Sequence, residues 1–170
     1  MGGAGAGSAA AGSGISAAMP AAPRPYSAPA AAALPQVRVV CCLPSRLWNH
    51  LLASALAPTP GFEVGVHVLP GPPPVTRQRP TVAVVAPPED RAGWERLALW
   101  ARRDEGLRLL VMGENRAPLA ARALRAGARG YLDWQSPLPL LIKAVRALAA
   151  GELWADRKLA WTLPGNGEPG

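Results

Sequence analysis

The sequence predicts an α/β domain in which a parallel β-sheet carries helices on both faces. Three observations point there. Short apolar runs bounded by proline or glycine alternate with longer runs of helical periodicity. Two of the short runs, Val37 to Cys42 and Thr81 to Ala86, are apolar almost throughout, as strands buried on both faces are. The stretch from Pro118 to Gly151 reads as helix, tight turn, short strand and capped helix in succession.

Order is expected to begin at Val37, because residues 1–35 are an Ala/Gly/Pro-rich tail with one charged side chain, Arg24, and too little to bury. After the first strand, Ser45 caps a helix to about Leu56, with Leu47, Leu51 and Ala55 as its inward face; Pro58 and Pro60 end it. Phe62 to Val68 alternates and makes a second strand. Leu69 to Pro80 carries five prolines, so a regular helix is not expected there. Thr81 to Ala86 is the third strand. Asp90 caps a helix over 91–103 with Trp94, Leu97, Ala98 and Ala101 inward, and Leu109 to Met112 is the fourth strand.

The stretch 118–151 closes the domain. Leu119, Ala120, Ala123 and Leu124 share a helical face, and Gly127 follows where a left-handed C-cap has no room for a Cβ. Ala128 to Leu132 is the fifth strand. Ser136 followed by Pro137 reads as an N-cap with proline at the first helical position. Leu138, Leu141, Ile142, Val145 and Leu148 build the apolar stripe of the last helix. Five strands joined this way predict the flavodoxin-like, doubly wound order 2-1-3-4-5, with the helix between strands 2 and 3 shortened or lost. The domain is expected to span 36–155, with a flexible C-terminal tail over 156–170.

Composition narrows the function. The chain has 170 residues and a net charge of +7, and Lys143 and Lys158 are its only lysines. That balance suits nucleic acid or an acidic protein surface, with solvated helix faces as the plainer reading. Cys41 and Cys42 are adjacent, so a bond between them is strained; both are expected reduced and buried. No apolar run reaches membrane-spanning length, and neither a signal peptide nor a myristoylation motif is expected at the N-terminus. The location expected from this is cytoplasmic. No glycine-rich phosphate loop and no Ser/His/Asp or Cys/His nucleophile signature is visible, so no enzyme is expected.

Leu124-Arg125-Ala126-Gly127-Ala128-Arg129-Gly130-Tyr131-Leu132, then a capped helix and Ala149-Ala150-Gly151-Glu152-Leu153-Trp154, resembles the last third of a bacterial response-regulator receiver domain. It is most similar to receivers that precede a LuxR-type helix-turn-helix. The first and third strands fit at the expected distances, so the resemblance covers about 37–154. It implies a phosphorylation site: an acidic pair after strand 1 and an aspartate after strand 3 holding Mg²⁺, a hydroxyl after strand 4 and a lysine after strand 5. These roles fall on Leu43 and Pro44, Ala86, Gly113 and Trp134, and every position departs from the pattern. No acid lies between Val37 and Pro60, or between Thr81 and Pro88, so a small slip of register changes nothing.

The expectation is therefore a pseudo-receiver: a scaffold that takes no phosphate and serves as a protein-interaction module in bacterial signalling or transcription control, with no catalytic residue, cofactor or metal. Trp134 either fills the emptied pocket, the favoured reading, or anchors a partner. Arg116, Arg122, Arg125 and Arg129 make a candidate surface for an acidic partner, against a plain solvated face. Glu89, Asp90, Glu114 and Asp133 are weighed as a displaced metal site and set aside as solvated or capping acids. His50 and His67 have no second ligand at metal spacing. The resemblance implies pairing, with a protein partner or a second copy, through the family's helix 4–strand 5–helix 5 face, which is the stretch 118–151 here. An alternative is an atypical LuxR-type regulator, although Asp156 to Gly170 is too short for a helix-turn-helix and direct DNA binding is not expected. Another is a sensor that holds a neutral ligand in the crevice at Leu43, Pro44, Ala86, Gly113 and Trp134.

Overall fold

The computed structural model describes residues 36–155, together with residues 1–5, 7 and 12. The expected tails over 1–35 and 156–170 lie largely outside the described residues. The chain separates into two units, Met1–Ala32 and Ala33–Gly170, and all the elements below belong to the second.

The sheet has five strands, all parallel, in the order β2-β1-β3-β4-β5. They are β1 (Val37–Cys42), β2 (Phe62–Val66), β3 (Thr81–Val85), β4 (Leu107–Gly113) and β5 (Gly130–Asp133). Among the described residues four helices connect or follow them: α1 (Arg46–Leu56), α2 (Arg91–Arg103), α3 (Ala117–Arg125) and α4 (Leu138–Ala149). Between β2 and β3 there is no helix, because the proline-rich run supplies neither the N–H groups nor the space a helix needs. This is the doubly wound, flavodoxin-like topology expected from the alternation.

Alternation along β1 and β3 divides the core in two. Val37, Val39, Cys41, Val82 and Val84 face α1 and α4, meeting Leu56, Leu141, Val145 and Leu148. Val40, Cys42, Ala83 and Val85 face α2 and α3, meeting Trp94, Leu97 and Trp100. Leu69 and Val75, from the run that lost its helix, pack on this second cluster. Arg79 pairs with Glu63 of β2 and ties the same run to the sheet edge. At the other edge the Tyr131 N–H donates to the Trp154 carbonyl at 2.9 Å and the Trp154 N–H to the Arg129 carbonyl at 3.0 Å. One residue thus blunts an exposed strand edge.

Several local expectations change. The inward face of α1 is not Leu47, Leu51 and Ala55, which are exposed; Asn49 and Leu56 are buried, with Leu52 and Ala53 packed beside them. Asn49 hides the true stripe, because a polar residue interrupts its apolar pattern. Trp100 is buried on α2, whereas Ala98 and Ala101 are half-buried. Pro137, not Ser136, is the N-cap of α4, and no side chain caps it. With Ser136 as N-cap, the third helical position would be Pro139, which has no N–H to donate. β2 stops at Val66, β4 begins earlier, at Leu107, and β5 runs from Gly130 to Asp133. Gly127 has φ +98 as the C-cap requires, and a Cβ there would lie 2.7 Å from that of Ala101.

Candidate functional site at the carboxyl end of the sheet

Parallel strands deliver their C-termini to one rim, and the candidate positions are all there. Leu43 and Pro44 follow β1, Ala86 follows β3, Gly113 ends β4 and Trp134 follows β5. The strand order reverses between β1 and β3, which is where open α/β sheets bind ligands.

The turn after β1 is held from within. Asn49 is 1% exposed. Its Oδ1 accepts from the Leu43 N–H at 2.7 Å, and its Nδ2 donates to the Leu43 carbonyl at 2.9 Å. One side-chain amide therefore satisfies both backbone groups of a buried residue. It also sets the rotation of α1. Ser45 Oγ accepts from the Trp48 N–H at 3.4 Å, as its capping role demands. With Asn49 inward, Leu47, Trp48 and Leu51 turn to solvent. Trp48 is 62% exposed and stands beside the rim. Sequence reasoning missed Asn49 and Trp48; the available signal was an asparagine seven residues past the strand end, on the side of α1 that continues to Leu52 and Leu56.

The Gly113 position is closed. A Cβ there would lie 2.5 Å from the Tyr131 hydroxyl oxygen and 3.0 Å from Pro87 Cγ. That hydroxyl donates to the Glu114 carbonyl at 2.6 Å. Burial, then the negative charges of Asp133 and Glu114, push the Tyr131 phenol above its ordinary value, with Arg116 opposing. Tyr131 thus stays neutral and keeps its hydrogen bond.

Trp134 is 43% exposed, and its backbone N–H donates to the Gly113 carbonyl at 3.0 Å. It lines two clefts and leaves both open. One, of about 490 Å³, lies between the β1 and β3 ends and is bounded by Leu43, Pro44, Ser45, Trp48, Ala86 and Trp134. The other, of about 530 Å³, lies toward α2 and includes Glu89, Asp90 and Arg96.

The acids do not converge. Asp90 Oδ1 accepts from the Gly93 N–H at 2.7 Å as the N-cap of α2, and Asp133 Oδ1 accepts from the Gln135 N–H at 3.0 Å. Glu114 lies 3.7 Å from Arg116 in an exposed pair. Among the described residues no three His, Cys, Asp or Glu side chains are grouped to hold a metal. The Mg²⁺ that the resemblance implies does not fit this rim: Leu43, Pro44 and Ala86 carry no side-chain oxygen, and Mg²⁺ takes carboxylates.

The four arginines are spread along α3 and the turns that flank it. Arg116 precedes α3, whereas Arg125 and Arg129 lie at its far end. The Arg122 guanidinium sits 4.6 Å from the ring centroid of Trp94, so it is directed toward α2. Cys41 and Cys42 are fully buried in β1, and burial pushes each thiol up to about 12, with a smaller contribution from Cys41 at Cys42. Neither is a nucleophile near neutral pH.

No protein-family model matches the chain, and no curated protein matches it by sequence. Solved structures do match. A LuxR-family two-component response regulator from Aurantimonas sp. SI85-9A1 superposes with a TM-score of 0.59 at 18% identity, over 73% of this chain and 92% of that one. The isolated REC domain of RcsB from Salmonella enterica serovar Typhimurium gives 0.55 at 15% identity, over 75% and 99%. The response regulator ChrA of a heme-sensing two-component system gives 0.58 at 23% identity, over 75% of this chain and 63% of ChrA. The fold is that of a response-regulator receiver domain. The receiver fold accounts for the strand order.

Proposed function

We propose that this chain is a phosphorylation-independent receiver-fold module that acts through a protein partner, without catalysis, in the cytoplasmic signalling or transcription control of a bacterium. One observation carries the reading. The five rim positions at which the resemblance expects metal ligands, nucleophile, hydroxyl and lysine hold Leu43, Pro44, Ala86, Gly113 and Trp134. None supplies a carboxylate, a hydroxyl or a cation, and the space over Gly113 belongs to Tyr131. Phosphoryl transfer in such a site is positioning and charge neutralisation, so their loss leaves nothing to drive it.

The partner surface in this reading is the face made by α3, β5 and α4, where Arg125 and Arg129 are exposed and suit acidic groups. A homodimer through the same face is the other form of the proposal. Calorimetric titration with Mg²⁺ tests the emptied site: heat that fits a single site in the millimolar range or tighter overturns it. For the surface, a partner recovered from the native host is expected to be lost when Arg125→Glu and Arg129→Glu are combined; retention moves the interface elsewhere. A DNA-linked regulator is the second reading, supported by the likeness of fold to a LuxR family DNA-binding response regulator from Silicibacter pomeroyi. Sequence-selective DNA binding that survives moderate salt favours it.

A further inference from the structure

The cleft of about 490 Å³ at the ends of β1 and β3 has a distinctive lining. It is lined by the exposed Trp48 and Trp134 and by Pro44 and Ser45, with the less exposed Leu43 and Ala86 as its floor, and Ser45 carries its one hydroxyl. Among the described residues no charged side chain lines it. The neighbouring cleft toward α2, which shares Pro44, Ala86 and Trp134, has Glu89, Asp90 and Arg96 instead. The volume lies within the range of small-molecule sites, about 300–1,000 Å³. The place is the switch point of the sheet, where strand connections diverge and leave a crevice.

Two features make this a built site rather than a gap. Asn49 clamps the Leu43 backbone through two hydrogen bonds, so the floor and the rotation of α1 are fixed together. The Trp134 N–H is bound to the Gly113 carbonyl, so the second indole starts from a fixed backbone. Two indoles are thereby presented to one apolar cleft without a partner of their own chemistry between them. Indole faces attract flat aromatic surfaces and keep little affinity for solvated anions. The Ser45 oxygen accepts the capping N–H, and its hydroxyl proton is available to an acceptor on a ligand.

We propose that the cleft between Trp48 and Trp134 binds a neutral, planar aromatic small molecule. The proposal rests on the reading that the phosphorylation positions are emptied, because an acidic triad and Mg²⁺ at this rim would exclude such a ligand. It adds the input: occupancy of the cleft takes the place of the phosphoryl group as the signal the module receives.

The test uses the full chain and the neutral fluorophore N-phenyl-1-naphthylamine, followed by its emission and by tryptophan quenching. Saturable one-site binding is expected. Trp48→Ala and Trp134→Ala are each expected to weaken it about tenfold, the loss of one aromatic contact. Both indoles are well exposed, so their removal spares the core. Ala86→Leu raises the floor, leaves both indoles in place and is expected to abolish binding. Leu51→Ala, on the exposed side of α1 and outside the cleft, is expected to leave it unchanged. Circular dichroism confirms that each variant is folded, and Ala86→Leu carries the test alone if a tryptophan variant is not. Absence of saturable binding overturns the proposal. So does binding that survives Ala86→Leu, or that falls as far with Leu51→Ala as with Trp48→Ala, since either places the probe on the apolar surface of α1. Failure here, with no phospho-adduct formed from acetyl phosphate, removes the ligand and leaves the emptied-site reading standing; a phospho-adduct removes that reading itself.

Discussion

The hydroxyl of Tyr131 sits where it would be 2.5 Å from a Cβ on Gly113, while donating to the Glu114 carbonyl at 2.6 Å. The two residues lie on neighbouring strands, two positions apart in register, and the glycine leaves the space that the Tyr131 ring fills. The position has no room for a hydroxyl-bearing side chain. Gly113→Ser is expected to destabilise the fold by about 1–3 kcal/mol, the usual cost of overpacking. Tyr131→Phe removes the closest atom, so in the double variant the loss should be smaller than the sum of the single losses. Urea denaturation of the four proteins measures this coupling; strict additivity would show that the two residues are not in contact.

Asn49 is the second structural commitment of the rim. Asn49→Ala leaves the N–H and carbonyl of buried Leu43 without their partners. The expected cost is about 2–4 kcal/mol, the sum of two unsatisfied groups at the lower end of their range. Hydrogen exchange at the Leu43 amide should accelerate in the variant more than at the amides of β3. A uniform change across the sheet would mean that Asn49 acts on global stability and not on this turn.

Cys41 and Cys42 bring a pH dependence with a definite sign. Both thiols are raised from 9.0 to about 12 in the folded chain. Stability from this source is fully present below pH 9 and is lost as pH rises from 9 to 12, because the unfolded chain releases these protons first. Tyr131, also raised by burial, acts in the same direction above about pH 10. Replacing both cysteines with alanine is expected to flatten the alkaline limb of a stability-against-pH curve, at a cost in packing. In the native protein at pH 8, a disulfide-exchange reagent should modify neither thiol until the chain opens; rapid stoichiometric reaction would contradict their burial.

The fold was readable because its cues are local. Val37 to Cys42 and Thr81 to Val85 are strands buried almost throughout and appear as runs that are apolar except at Arg38 and Thr81. Gly127 marks the end of α3 through a backbone angle that other residues rarely adopt. The rim positions are legible for the same reason, since each lies at the end of a strand or within two residues after it. The cleft was not. It depends on which way α1 turns, and α1 offers two apolar stripes. Leu47, Leu51 and Ala55 form the cleaner one, yet the other is buried because Asn49 bonds to Leu43, six residues back. A hydrogen bond made only after folding decides the orientation, and no periodicity encodes it. Ser136 misled in a similar way: its cap fails because Pro139 lacks the N–H that a serine cap needs.

The central claim is that a receiver scaffold persists here around a rim that no longer accepts phosphate. Intact-mass spectrometry after incubation with acetyl phosphate and Mg²⁺ tests it most directly. The account predicts an unmodified mass at every time point, whereas a stoichiometric, acid-labile adduct of one phosphoryl group would contradict it.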